Sequence, residues 1–177
     1  MSKAVRGSFP ISIKDPVERI QAYMNTYQDD PEYDGFDALL MRNLRVISAK
    51  ATDAAQDGME AVSVYELDVV PGLCNSMGNM HGGAVATLAD NTTTLAAAPI
   101  SRPGFWEHGG VSRTLNVTYL RPITKGSTLR IECAVRSVGQ KLAATQCSIR
   151  SKETGKVLAL AEHNKAAIAT QNLPGRL

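Results

Sequence analysis

The residues best suited to chemistry lie in one stretch, Asn75-Ser76-Met77-Gly78-Asn79-Met80-His81-Gly82-Gly83-Ala84-Val85-Ala86-Thr87-Leu88-Ala89-Asp90-Asn91. Gly82 and Gly83 open a run rich in Ala and Leu that reads as a helix over Gly82–Pro99. A helix N-terminus presents unpaired backbone N–H groups and a partial positive charge. Glycine lets a ligand approach that backbone closely, so negative charge developing on a carbonyl oxygen would be stabilised there. Asn75 adds a side-chain amide donor in the preceding loop. Asp90 is the one charged residue of the helix, and a carboxylate among apolar neighbours costs free energy unless it has a partner or a reactive role. It stands seven residues after Gly83, about 10 Å along the axis and on one face. That is too far to act on a carbonyl held at the start of the same helix. Two antiparallel helices from two subunits would bring one start beside the other's middle. Taken alone, His81-Gly82-Gly83 also reads as a plain helix entry. Asp90 reads equally as a buried cap or salt-bridge partner, and Ser112 as an ordinary strand hydroxyl.

Positioning these groups falls to the elements around them. Asp15 can cap a helix that has Pro16 at its first position and an apolar stripe of Val17, Ile20 and Met24. A second short helix is expected over Phe36–Arg42. Leu44–Ala51 and Met59–Val70 form a hairpin turned by Gln56-Asp57-Gly58. The Gly82–Pro99 helix lacks charge apart from Asp90, which predicts burial on nearly every side. Pro99 and Pro103 stop it, and a loop with Trp106 and His108 follows. Four strands complete the chain: Val111–Leu120, Thr128–Val138, Lys141–Ser151 and Val157–Ala167. Leu129, Ile131, Cys133 and Val135 alternate along the second of these. The order predicts an α+β fold, one antiparallel sheet wrapped around a long central helix. Residues 1–43 form an N-terminal extension with short helices, residues 44–170 the main domain, and residues 171–177 a tail.

The 177 residues, 44% hydrophobic and 20% charged, suit a single domain with a real core. No apolar run is long enough for a membrane span. Three cysteines without a C-x-x-C pair argue against a disulfide framework and structural zinc, and fit a reducing intracellular compartment. No two of His81, His108 and His163 have metal-ligand spacing, so no metal is expected. The basic Met1–Lys14 has no apolar core of a secretory signal. It reads as a frayed tail, with organelle targeting as the second reading. Cytoplasm or mitochondrion follows; Gly175-Arg176-Leu177 departs from a peroxisomal tripeptide at its first place. Residues 1–110 carry 8 basic and 14 acidic side chains, whereas residues 111–177 carry 11 and 3. This asymmetry points to an anionic partner for the C-terminal half, unless the strands simply expose Lys and Arg to water. Few aromatics interleave with the charges, which disfavours nucleic acid. The serine-hydrolase elbow and the common nucleotide loops are absent.

His81-Gly82-Gly83 with Asp90-Asn91, Val111-Ser112, Asn116-Val117-Thr118-Tyr119, Pro122 and Thr154-Gly155-Lys156 resembles the hotdog-fold acyl-CoA thioesterases of the PaaI type. The likeness is greatest to their eukaryotic thioesterase superfamily member 2 branch, also called acyl-CoA thioesterase thirteen, over roughly residues 60–167. It implies a hotdog fold and a hydrolase of lipid metabolism that cleaves acyl-CoA to free acid and coenzyme A. It implies no cofactor, since coenzyme A is part of the substrate. It implies a homodimer that pairs into a homotetramer. Asn75 and the backbone of Gly82 would polarise the thioester carbonyl. Asp90 of the other subunit would activate the water that Ser112 helps place, and His81 lies near the thioester. Gly83, Arg113, Thr114, Tyr119 and the turn Ser137-Val138-Gly139-Gln140-Lys141-Leu142 match the region meeting coenzyme A. Thr114 stands where the compared family member is acidic. Ser137 and Gln140 replace lysines, with Lys141 shifted by one. The Pro103–Gly110 insert is longer than expected and is placed to shape the acyl pocket. A non-catalytic acyl-CoA-binding module and a hotdog hydratase or dehydratase are the alternatives. Asp90 argues against the first, and the lack of a visible His–acid pair against the second.

Overall fold

A computed structural model describes residues 6–168. Helix α1 (Pro16–Gln28) starts as its residue types predict: the Asp15 side chain accepts from the Glu18 N–H at 2.9 Å, and Pro16 needs no partner at the first position. Helix α2 (Ala38–Asn43) leads directly into strand β1 (Leu44–Ala51). The expected tight hairpin turn is instead a single helical turn, α3 (Ala54–Asp57). Asp53 caps it, and Gly58 ends it in the left-handed conformation that glycine adopts without strain. Strand β2 (Ala61–Asp68) is therefore shorter than its apolar run predicts.

Helix α4 (Gly82–Leu95) stops before Pro99, and the chain continues as a 3-10 turn over Ala98–Ile100. Strands β3 (Val111–Tyr119), β4 (Thr128–Val138), β5 (Leu142–Ser151) and β6 (Val157–Ala166) follow within a residue or two of expectation. All six strands join one antiparallel sheet in the order β1-β2-β4-β5-β6-β3. This is the hotdog arrangement that the sequence predicts. Val85, Leu88, Ala89 and Leu95 of α4 are buried with Ile131 and Val135 of β4, Ile149 of β5 and Ala161 of β6 in one core. The alternation of each strand puts these side chains on one face.

Two expectations change here. Helix α4 is not buried all round: Gly83 is exposed and Ala86, Thr87 and Asp90 are half-buried, so one stripe is open at the chain's surface. Residues 6–14 are not a frayed tail. Phe9 is 3% exposed, its N–H donates to Glu107 O at 2.7 Å, and Arg6 lies over Tyr27 and Tyr33 while pairing with Asp30. Ile20 and Met24 of α1 also enter the main core. Lys3, the C-terminal tripeptide and the 171–177 tail lie outside the described residues. Among the described residues no helix is long and apolar enough to cross a membrane.

Candidate functional site

The start of α4 is built around His81. Its Nδ1 accepts the Gly83 N–H at 2.9 Å, which makes His81 the N-cap and leaves the neutral ring's proton on Nε2. A Cβ on Gly83 would sit 3.1 Å from that Nδ1, so only glycine fits without crowding the imidazole. The Gly82 N–H makes no hydrogen bond among the described residues and stays available. Tyr119, 54% exposed, donates its hydroxyl to Gly82 O at 3.0 Å and so ties β3 to the helix start. The Asn75 Oδ1 accepts from the N–H groups of Met77 and Asn79, which fixes the loop and leaves the Asn75 amide hydrogens as donors.

A second group forms two turns along the helix. Ser112 at the start of β3 donates to Asp90 Oδ1 at 2.7 Å. Asp90 and Ser112 line a cavity of about 440 Å³ with Tyr23 and Tyr27 of α1, His108 and Lys165. Neither Asn75 nor Gly82 lines it. Within one chain the structure thus joins Asp90 to Ser112, and Gly82 to Tyr119, as two separate groups.

The Asp90 group contains residues the sequence reading did not assign. His163 on β6 is fully buried, with Nε2 3.3 Å from Asp90 Oδ1. A His–acid pair therefore exists, contrary to expectation. The two residues are remote in sequence, and only the packing of β6 against α4 brings them together. His163 does not itself line the cavity, and its buried Nε2 has no hydrogen-bond partner among the described residues. The Thr93 hydroxyl lies 2.6 Å from Ala89 O and 2.7 Å from His163 Nδ1, and so ties the ring to the helix. Burial, together with the nearby Lys165, lowers the His163 pKa to about 4 against the pull of Asp90. Lys165, two residues on and 2% exposed, donates to Thr94 Oγ1 at 2.8 Å. Burial lowers its pKa to about 8, opposed by Asp90. The signal for both was available: they sit at alternate positions continuing the inward face of Ala159 and Ala161, where polar side chains are unusual.

Of the residues assigned to coenzyme A, Arg113 and Thr114 are exposed on β3, and Thr114 accepts from Asn164 at 2.9 Å. The turn Ser137 to Leu142 lies across β6 from the start of β3, Leu142 and Val111 both pairing with Ala166, and it packs against the 103–110 insert: Trp106 donates its indole N–H to Gly139 O at 2.8 Å. Gln140 and Lys141 share a cavity of about 200 Å³ with Trp106 and His108. His108 lines both cavities, so the insert does border the Asp90 cavity. Gly110, at φ +71°, has no room for a Cβ, which would meet Ala166 O and the Trp106 ring. Several basic side chains of the C-terminal half are already paired, Arg130 and Arg150 with Glu132 and Lys152 with Glu66. Glu132 is already counted within that half, so of these only the Lys152–Glu66 pair offsets its surplus with an acid from the N-terminal half.

Residues 77–158 match a family model described as the thioesterase superfamily. Acyl-coenzyme A thioesterase 13 of Homo sapiens is 35% identical over 102 residues, covering 58% of this chain and 70% of that protein. The crystal structure of zebra fish thioesterase superfamily member 2 superposes with a TM-score of 0.70 at 28% identity, over 85% of this chain and 96% of that one. Thioesterase superfamily member 2 from Mus musculus gives 0.67 at 25% identity, over 87% and 98%.

Proposed function

The chain belongs to the thioesterase superfamily, and from that premise we propose that it hydrolyses acyl-CoA thioesters with a water molecule activated by Asp90. The observation that carries this reading is the 2.7 Å hydrogen bond from Ser112 to Asp90 at the wall of a cavity. A water that donates to the carboxylate beside that hydroxyl is placed to attack and to lose its proton to the carboxylate. The backbone N–H of Gly82 and the side-chain amide of Asn75, donors suited to a carbonyl, lie outside this cavity. They serve it if they come from a second copy of the chain. The active unit is therefore a homodimer, with antiparallel α4 helices placing one start beside the other's Asp90, and pairs of dimers form the tetramer. Two features support it: the open stripe of α4, and β3, which among the described residues pairs only with β6 and leaves Val111 and Tyr119 half exposed.

As water attacks the thioester carbon, its proton passes to Asp90. The oxygen gains negative charge facing the partner's Gly82 N–H and Asn75 amide. When the tetrahedral species collapses, the C–S bond breaks and the proton on Asp90 is returned to the leaving thiolate. His81 orients the helix entry through its bond to Gly83. Arg113, Lys141 and the turn around Gly139 meet the coenzyme A portion.

The test is thiol release from a panel of acyl-CoAs, by the wild type and Asp90→Asn, beside the absorbance of enoyl-CoA. Thiol release lost in Asp90→Asn supports hydrolysis. Binding without release supports a non-catalytic module, and an enoyl-CoA change without release supports a hydratase.

A further inference from the structure

Lys165 is a buried ammonium group with one assigned hydrogen bond. It is 2% exposed, donates to Thr94 Oγ1 at 2.8 Å, and has two further hydrogens without partners among the described residues. A charge is rarely kept in such a place without a counter-charge. Lys165 stands opposite Ser112 across the β3–β6 pairing, and both line the cavity with Asp90. Thr94, which accepts from Lys165, donates in turn to the backbone carbonyl of Asp90 at 2.7 Å. The ammonium is thus held on the side of the helix where the Asp90 carboxylate emerges.

Every titratable group around Asp90 bears on its charge. Strand β6 brings His163 and Lys165; the α2 cap brings Asp37, which accepts from Asn91 and from Tyr33; α1 brings Tyr23 and Tyr27; the insert brings His108. Burial and Lys165 keep His163 neutral near pH 7 against the pull of Asp90. Tyr23 and Tyr33 ionise only far above neutrality, burial being the largest cause for both. Asp37 adds negative charge. Lys165 is the one Lys or Arg lining this cavity among the described residues.

We propose that Lys165 is a positioning residue that acts as the counter-ion of Asp90, keeping its carboxylate ionised and ready to accept a proton. It acts through its field and does not touch the reacting atoms. The proposal rests on the reading of Asp90 as the base. Without the cation the carboxylate loses its balancing charge, and activity that needs the carboxylate is lost at a higher pH.

The test titrates Asp90 directly in the full-length protein labelled at the Asp side-chain carboxyl carbon, the resonance being assigned by its loss in Asp90→Asn. In Lys165→Met the Asp90 midpoint should rise by about one pH unit or more. In Lys165→Arg, which keeps the charge, it should stay within a few tenths. The acid limb of kcat/KM for acyl-CoA should move with it, and Lys165→Met should recover activity as the pH is raised. Should Lys165→Met fail to fold, Lys165→Gln, which can still donate to Thr94, carries the same comparison. An Asp90 midpoint unmoved in the folded neutral variant overturns the proposal. A midpoint that moves while the acid limb does not upholds the counter-ion and overturns Asp90 as the base.

Discussion

Mixing two inactive variants gives the sharpest test of the two-chain site. Gly82 and Asp90 are the first and ninth residues of α4, a separation of about 12 Å at 1.5 Å per residue. An attacking water must lie about 3 Å from the carbon it attacks, so one chain cannot supply both the carbonyl donors and the base. Asp90→Asn keeps the side-chain volume and removes the base, and should lower kcat by about 10²-fold or more. Asn75→Ala removes a carbonyl donor and should cost a similar factor. If the two act across the dimer, a hybrid has one site with both groups intact and one with neither. Random exchange of equal amounts makes about half of the dimers hybrid, so about a quarter of all sites should be intact. Thiol release from the mixture should rise from the parental background to about a quarter of wild type. Mass spectrometry of isotopically labelled subunits establishes that exchange has occurred. Exchange without recovery would mean that both residues serve one site from one chain, and the trans arrangement would be wrong.

Three further outcomes follow from the same geometry. Ser112→Ala should lower kcat by about tenfold or more with a smaller effect on KM, because it removes the hydrogen bond to Asp90 and a water-placing group; steady-state kinetics read the split. Arg113→Ala or Lys141→Ala should raise KM and flatten its dependence on salt with kcat little changed, and an unmoved KM in both would leave these charges as solvated surface. His163 has a pKa of about 4 in the fold against an ordinary value near 6.5 when unfolded. The unfolded chain binds the proton first, so this contribution to stability is complete above about pH 6.5 and is lost as pH falls towards 4. Urea midpoints at fixed protein concentration should fall over that window, and less steeply in His163→Gln.

What was legible in the sequence depended on how local its cause was. Asp15 and Pro16 announce α1 because a cap and its helix are neighbours in the chain. Leu129 to Val135 announce β4 because alternation is written into consecutive residues. Gln56–Gly58 has the residues of a tight turn, but Asp53, just outside it, caps a short helix instead. Asp90 and the glycines of α4 could be singled out because one charge in an uncharged helix is conspicuous. His163 and Lys165 could not be paired with Asp90 by spacing, since the order of strands alone brings β6 beneath the helix. They were nevertheless visible as polar residues on an inward-facing series. The two-chain site was legible only as a distance too long for one helix, and the pinning of residues 6–14 depends on contacts with Tyr27, Tyr33 and Glu107 far along the chain.

The chain has a single tryptophan, Trp106. Its ring is almost wholly buried, and its indole hydrogen bonds the Gly139 carbonyl at the turn assigned to coenzyme A. The protein therefore carries a built-in optical reporter at one defined place. Its emission is unmixed with any other indole. A shift towards longer wavelength marks water reaching the seam between the insert and the turn, and quenching on adding nucleotide marks arrival there. Stopped-flow fluorescence of the unlabelled protein can then time occupancy of that corner separately from thiol release, and so order binding and bond cleavage.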